Sequence, residues 1–249
     1  MEGFTQFGSN RTGIQTSPKL TKELLKSVRE ATPSSEGDES ALSAVRLVQA
    51  RESEPLGTVP PVKDDAAAVK DLPGNIRLQV LVDRIAERLA FERTGTRLYE
   101  ALIVKHAAYA DELPNVPVER LTQFHAEEAE HFAMLAEVLQ SLGADPTAQT
   151  PAADLVGIQG MGLMQALTEP RTTFVQALCT ILIAELADND GWEMLINLAT
   201  TAELDDLVER FRTAREQEDE HLDQVRTWLL ELSAAELTGS DALQAKGTA

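Results

Sequence analysis

Glu128-Ala-Glu-His131 and Glu218-Asp-Glu-His221 repeat one four-residue pattern, Glu-x-x-His, in the second half of the chain. Each copy is preceded by a lone glutamate on a helical apolar stripe. Glu92 lies 36 residues before Glu128, and Glu185 lies 33 before Glu218. On a helix, residues i and i+3 sit about 60° apart and roughly 4.5 Å along the axis. A carboxylate and an imidazole so placed can converge on one metal ion. Two sets drawn from four facing helices supply four carboxylates and two histidines, the composition of a dinuclear carboxylate centre in a helix bundle. A single Glu-x-x-His arises readily in any glutamate-rich helix; the doubled arrangement with matched spacing carries the weight.

Periodicity predicts the four helices. The first stripe reads Leu78, Leu81, Val82, Ile85, Leu89, Glu92, Thr96, Tyr99, Ile103, His106. The second follows the Pro114 and Pro117 turn and runs from Val118 through Glu128 and His131 to Leu142, ending at Gly143. The third opens at Pro170 and carries Leu178, Ile181, Leu182, Glu185, Trp192 and Ile196. A capping box at Thr200-x-x-Glu203 is expected to start the fourth, which carries Leu207, Phe211, Glu218, His221, Val225 and Trp228. All four have the spacing of bundle helices. Short connections make helices 1 and 2, and helices 3 and 4, antiparallel hairpins. The stretch from Gly143 to Pro170 is long enough to cross the bundle. Its glycines 157, 160 and 162 are not followed by Gly-Lys-Ser/Thr, so it is no phosphate loop. The expectation is an all-α, antiparallel four-helix bundle with a long crossover between helices 2 and 3.

Composition narrows the function. The 249 residues are 43% hydrophobic but only 4% aromatic, and the net charge is −19. Such a charge argues against nucleic acid or an anionic membrane as partner. No apolar run has transmembrane length and no signal-peptide core follows Met1. The single cysteine, Cys179, cannot form an internal disulfide, so a reducing, cytoplasmic setting is expected. Residues 1–72 mix Ser, Thr, Pro, Gly and charge and are expected to form an extension, partly disordered or draped, with short helices around 19–31 and 39–51. The bundle should span 73–235 and a frayed tail 236–249.

Six polar residues, Glu92, Glu128, His131, Glu185, Glu218 and His221, fall where periodicity assigns the interior. An unpaired buried carboxylate costs several kcal/mol or more, and four together repel one another. They must be protonated, hydrated, paired with cations or bound to metal, and metal is the expectation. Arg215 is one interior counter-charge. Oxygen and imidazole donors without thiolate favour iron or manganese over a structural zinc. Among the neighbours, His125 reads as a structural histidine, Cys179 as a small core residue, Asp188 as a solvated acid with a spare ligand as the alternative, and Glu127 and Glu130 as surface. His106 is two heptads from Glu92, too far to be a ligand.

The stretch His125-Ala-Glu-Glu-Ala-Glu-His131-Phe132 resembles the second helix of rubrerythrin-type proteins. Glu218-Asp-Glu-His221-Leu-Asp223 is similar to the last ligand helix of bacterioferritins and rubrerythrins. The likeness covers roughly residues 75–233. Membership of the ferritin-like superfamily would imply two iron ions, with manganese as the alternative. Glu92 and Glu185 would be terminal ligands, Glu128 and Glu218 bridging, and His131 and His221 would cap one metal each. Tyr99 matches a tyrosine common beside such sites, Trp192 takes the equivalent place after Glu185, and Asp223 matches an acid that orients a ligand histidine.

The resemblance implies redox chemistry with dioxygen or hydrogen peroxide, of oxidase, peroxidase, ferroxidase or catalase type, in a homo-oligomer. Two readings stand beside it: an iron-storage ferritin, as cage or shell cargo, and a bundle whose metal is only structural. The chain lacks the Cys-x-x-Cys pairs of full rubrerythrins, and its long extension is foreign to compact ferritins.

Overall fold

The computed structural model describes Lys19, Lys22, Glu23, Lys26, Ser27 and Glu30, then residues 39–52, 58–62, 73–74, 76–110, 113 and 115–239. The first of these are helical, while most of the helix expected at 19–31 lies outside the described residues. The described residues are all-helical, with no strand among them. The chain divides into two units, Met1–Glu54 and Pro55–Ala249. In the first, α1 spans Glu39–Glu52 and exposes Val45, Leu47 and Val48. The expected bundle segment, 73–235, lies within the second unit.

That unit holds α2 (Leu78–Ala107), α3 (Val118–Ser141), α4 (Pro151–Thr168), α5 (Phe174–Thr201) and α6 (Asp205–Thr238), which pack as a helical bundle. The consecutive helices α2 and α3 lie along each other, as do α5 and α6. α2 also packs on α4 and α5. No described helix is long and apolar enough to cross a membrane.

Several helix ends differ from the sequence expectation. The stretch between Gly143 and Pro170, read only as a long crossover, is mostly helix α4. Thr150 caps it by accepting from the Ala153 amide, and Pro151 occupies the first turn, where a missing N–H costs nothing. α5 begins at Phe174, after Pro170. Its capping box is Thr173 with Gln176: the Thr173 hydroxyl oxygen accepts from the Gln176 amide at 3.2 Å, and the Gln176 side chain accepts from the Thr173 amide at 3.0 Å. Thr200 is still inside α5, and Glu203 is a left-handed turn residue at φ 58°, so no box forms there. α6 starts at Asp205 without a side-chain cap. Asp205 and Asp206 instead place negative charge on the positive end of its dipole. α6 continues past the expected bundle limit to Thr238, where Gly239 at φ 59° ends it. Residues 240–249 lie outside the described residues.

Two apolar clusters form the core, and a polar layer separates them. On α2, Leu78 to Ala90 belong to one cluster and Leu98, Tyr99 and Leu102 to the other. Glu92 falls between. On α3 the second cluster takes Leu121 and Phe124 and the first takes Leu135 to Leu142. On α6 the first takes Leu207 to Ala214 and the second Val225 to Leu232. A fully buried Leu or Phe contributes about 1.5–3 kcal/mol. Many such side chains, with buried Val, Ile and Ala beside them, flank the polar layer and can hold it in place despite its desolvation. Cys179, expected in the core, is exposed on α5. Its neighbours Ala177, Leu178 and Thr180 take the inward positions.

Candidate metal centre

Glu92 on α2, Glu128 and His131 on α3, Glu185 on α5, and Glu218 and His221 on α6 all point into the polar layer. None is more than 4% exposed. Ligand-capable atoms of Glu128, Glu185, Glu218 and His221 lie within 4.8 Å of one another. The same limit holds for Glu92, His131 and Glu218, and for Glu92, Glu128, Asp188 and Glu218. Glu218 belongs to all three groups. Its Oε1 is 2.8 Å from His131 Nδ1 and its Oε2 is 3.1 Å from His221 Nδ1, so one carboxylate faces both imidazoles. Glu92 Oε2 lies 3.5 Å from His131 Nδ1, and Glu128 Oε1 lies 3.6 Å from His221 Nδ1.

The outer nitrogens fix how the imidazoles are turned. His221 Nε2 donates to Glu127 Oε2 at 2.8 Å, and His131 Nε2 donates to Gln217 Oε1 at 2.9 Å. Both acceptors lack a proton to give, so Nε2 carries hydrogen in each ring and Nδ1 is turned inward. This is the arrangement by which an outer acceptor sets a ligand histidine's tautomer. Glu127, expected at the surface, is therefore half-buried and part of the site. Burial pushes its carboxyl up, but the hydrogen bonds of His221 and Gln123 and the nearby charges of His221 and Arg120 together hold it below the usual range. Asp223, expected in that role, is exposed and pairs with Arg226. Glu130 is exposed as expected, and His125 is half-buried.

Tyr99 and Trp192 sit against opposite ends of the cluster. The Tyr99 hydroxyl donates to Glu185 Oε1, and its ring meets His221 edge-on at 5.9 Å between centroids. The Trp192 ring meets His131 edge-on at 5.4 Å, and its buried Nε1 has no hydrogen-bond partner. Tyr99 thus serves the glutamate of the other hairpin, not Glu92 on its own helix. Asn189 Nδ2 donates to the backbone oxygens of Glu185 and Glu218, tying α5 to α6 at the level of the cluster.

A buried cation completes the layer. Arg88 Nε lies 3.0 Å from Glu92 Oε1, and Arg88 Nη1 lies 3.3 Å from Asp188 Oδ1 and 3.2 Å from the Asp188 carbonyl, to which it donates. Asp188, expected to be solvated, is 2% exposed. Arg215, the expected counter-charge, pairs instead with Asp219 at the edge. Two glycines make room for these side chains. A Cβ at Gly95 would stand 1.9 Å from Glu128 Oε2, and one at Gly191 would stand 1.9 Å from Arg88 Nη1. A cleft of about 280 Å³ between α2, α4 and α5 is lined by Phe91, Val156, Met194 and Arg88, so Arg88 touches both the cleft and the cluster.

Protonation follows from this crowding. Burial, reinforced by Glu218, pushes the Glu128 carboxyl up to about 8. Burial likewise holds Glu185 and Asp188 well above the usual carboxylate range, and raises Tyr99. For Glu218 burial works the same way, but the hydrogen bonds of His131 and His221 outweigh it and bring the carboxyl down to about 2. Burial disfavours the charged form of His131, yet Glu218 and Glu92 outweigh it and raise the imidazole to about 11. His221 is raised too, against burial, by Glu127, Glu128 and Glu218.

The donor set suits divalent metal. Both oxygens of Glu92 and Glu218, one oxygen each of Glu128 and Glu185, and both inward Nδ1 atoms are buried away from water, with only one another and Arg88 as close polar neighbours. Protons on the histidines can balance part of this charge. Two divalent cations would satisfy all of it with hard oxygen and imidazole ligands.

Of the residues that act here, sequence reading missed Arg88, Glu127, Gln217, Asp188, Gly95 and Asn189. Arg88 lies one turn before Glu92 and Asp188 three residues after Glu185, so their register was the available signal. Comparison with protein-family models, with curated proteins and with solved structures finds no match.

Proposed function

We propose that the chain is a ferritin-like four-helix bundle, formed by α2, α3, α5 and α6 with α4 in the crossover, that binds two iron ions, or two manganese ions, and reacts with dioxygen or hydrogen peroxide. The observation that carries this reading is the position of Glu218, with one oxygen toward His131 and the other toward His221. Glu128 and Glu218 would bridge the two ions. Glu92 and His131 would complete one position, and Glu185 and His221 the other. A reduced metal pair so held would supply two electrons from neighbouring ions to one oxygen species.

The protein's own part is placement and exclusion. The apolar clusters on either side keep water from the layer. Glu127 and Gln217 hold the imidazoles, and Tyr99 holds Glu185. Tyr99 and Trp192 are oxidisable rings against the two histidines, placed to give or quench an electron.

The test begins with anaerobic metal-free protein given two ferrous ions per chain and then exposed to oxygen. Oxygen consumption that stops at two irons per chain, and resumes after re-reduction, is the expected result. Iron uptake far beyond that ratio, with a large hollow assembly, would establish storage instead. If protein loaded with iron, and separately with manganese, consumes neither oxygen nor hydrogen peroxide, the metal is structural.

A further inference from the structure

The cluster is built from two similar halves, and Arg88 breaks their likeness. Glu92 and Glu185 occupy matching places, each one helix before a Glu-x-x-His. Tyr99 and Trp192 follow them at the same interval, each ring edge-on to a histidine. The place one turn before Glu92 holds Arg88; the place one turn before Glu185 holds Ile181. Three residues after Glu92 comes Gly95, whereas three residues after Glu185 comes Asp188. Arg88 and Asp188 thus each stand in one half without a counterpart in the other, and they meet beside Glu92.

The two terminal glutamates consequently have different neighbours. Glu185 Oε1 receives a neutral hydroxyl, that of Tyr99. Glu92 Oε1 is held at 3.0 Å by a full positive charge that is 5% exposed. Inside a protein, where screening is weak, a fixed cation draws electron density from the carboxylate it touches and repels a second cation beside it. Asp188 offsets part of that charge, but spends its own oxygen on Arg88 at 3.3 Å. The guanidinium cannot easily withdraw. It lies over the Phe91 ring at 3.9 Å, and Gly191 provides the space for Nη1.

We infer that Arg88 makes the two metal positions unequal, so that the Glu185–His221 position fills first and the Glu92–His131 position second and more weakly. The inference rests on the metal-binding reading above and adds an order of filling and the residue that sets it. Arg88 acts through Glu92 and Asp188 and is a positioning residue.

Titration of the full-length metal-free protein with cobalt(II), followed by visible absorbance, tests it. Wild type should bind two ions in two steps separated by about tenfold or more in affinity, as a charge this close requires. His221→Ala should remove the tight step and His131→Ala the weak one. Arg88→Met should narrow the gap by strengthening the second step. Asp188→Asn should widen it by leaving Arg88 uncompensated beside Glu92. A merely structural role for Arg88 would weaken both steps alike, and that result overturns the inference. So does a single step in wild type, or loss of the tight step in His131→Ala, and both are readable even if Arg88→Met fails to fold. Absence of any cobalt binding overturns the metal-binding reading as well, while two equal steps overturn only this one.

Discussion

Glu127 Oε2 accepts the Nε2 proton of His221 at 2.8 Å, from a position one residue before Glu128 and on the opposite side of the imidazole from the cluster. The bond leaves His221 no choice of tautomer and aims Nδ1 at Glu128, Glu185 and Glu218. Replacing Glu127 with Ala should weaken metal binding by about 10- to 100-fold, the usual loss for an outer-shell partner of a ligand histidine. Asp223→Ala should leave it unchanged. Competition with a chelator of known affinity measures both.

Glu218 faces both histidines, so Glu218→Ala should impair both ions, and Glu128→Ala should do the same. His131→Ala should release mainly one. Elemental analysis of each purified variant distinguishes these outcomes. Two firmly held metals in Glu128→Ala would show that Glu128 does not bridge.

Gly95→Ala should cost the centre its metal although alanine is the better helix former. In open space the change stabilises a helix by up to about 1 kcal/mol. At Gly95 the new methyl meets Glu128 Oε2 at 1.9 Å and must push that carboxylate away. Gly157→Ala, on α4 with nothing within 4 Å, is the matching control and should raise the melting temperature with metal content unaltered.

The metal-free protein should lose stability as pH rises through neutrality. Glu128 is raised from 4.5 to about 8, so its contribution is complete below 4.5 and is lost as pH climbs through 8. His131 is raised from 6.5 to about 11, and its contribution fades over that higher interval. Glu218, lowered from 4.5 to about 2, has the opposite sign and is lost only as pH falls through 2. From pH 4.5 to 8 Glu128, and from 6.5 upward His131, pull stability down, and Glu185, Asp188 and His221, raised as well, act with the same sign. Melting of chelator-treated protein should therefore shift down across that range. Bound metal, which needs the same groups deprotonated, should stabilise more at each step. A flat or rising melting curve for the metal-free protein contradicts this.

The six candidate ligands and the four long helices could be read from the sequence because one periodicity carries both. A glutamate or histidine that falls on a stripe of Leu, Ile and Phe has only the interior to go to. Arg88 and Asp188 obey the same register, but long charged side chains can usually reach water from a buried backbone position, so register alone did not place them. What holds Arg88 inside is the gap left by Gly191, a contact between helices about 100 residues apart in the chain. Glu127 was misplaced for a similar reason. It projects from the flank of α3, and only the approach of α6 brings His221 within reach. α4 escaped notice because its three glycines and scarce charge give no amphipathic alternation. Its capping by Thr150 and Pro151 was the better signal.

The burial of all six candidate ligands would also set a clock. Side chains at most 4% exposed, with apolar clusters on two sides, would leave a bound ion little direct contact with solvent. Exchange of such an ion would then depend on helices parting, an opening drawn from the slow end of local fluctuations rather than from side-chain motion. Occupancy would be decided when the chain folds or during rare openings, and a strong chelator would strip the centre no faster than the bundle breathes. The identity of the bound ion would record which metal was abundant at that moment.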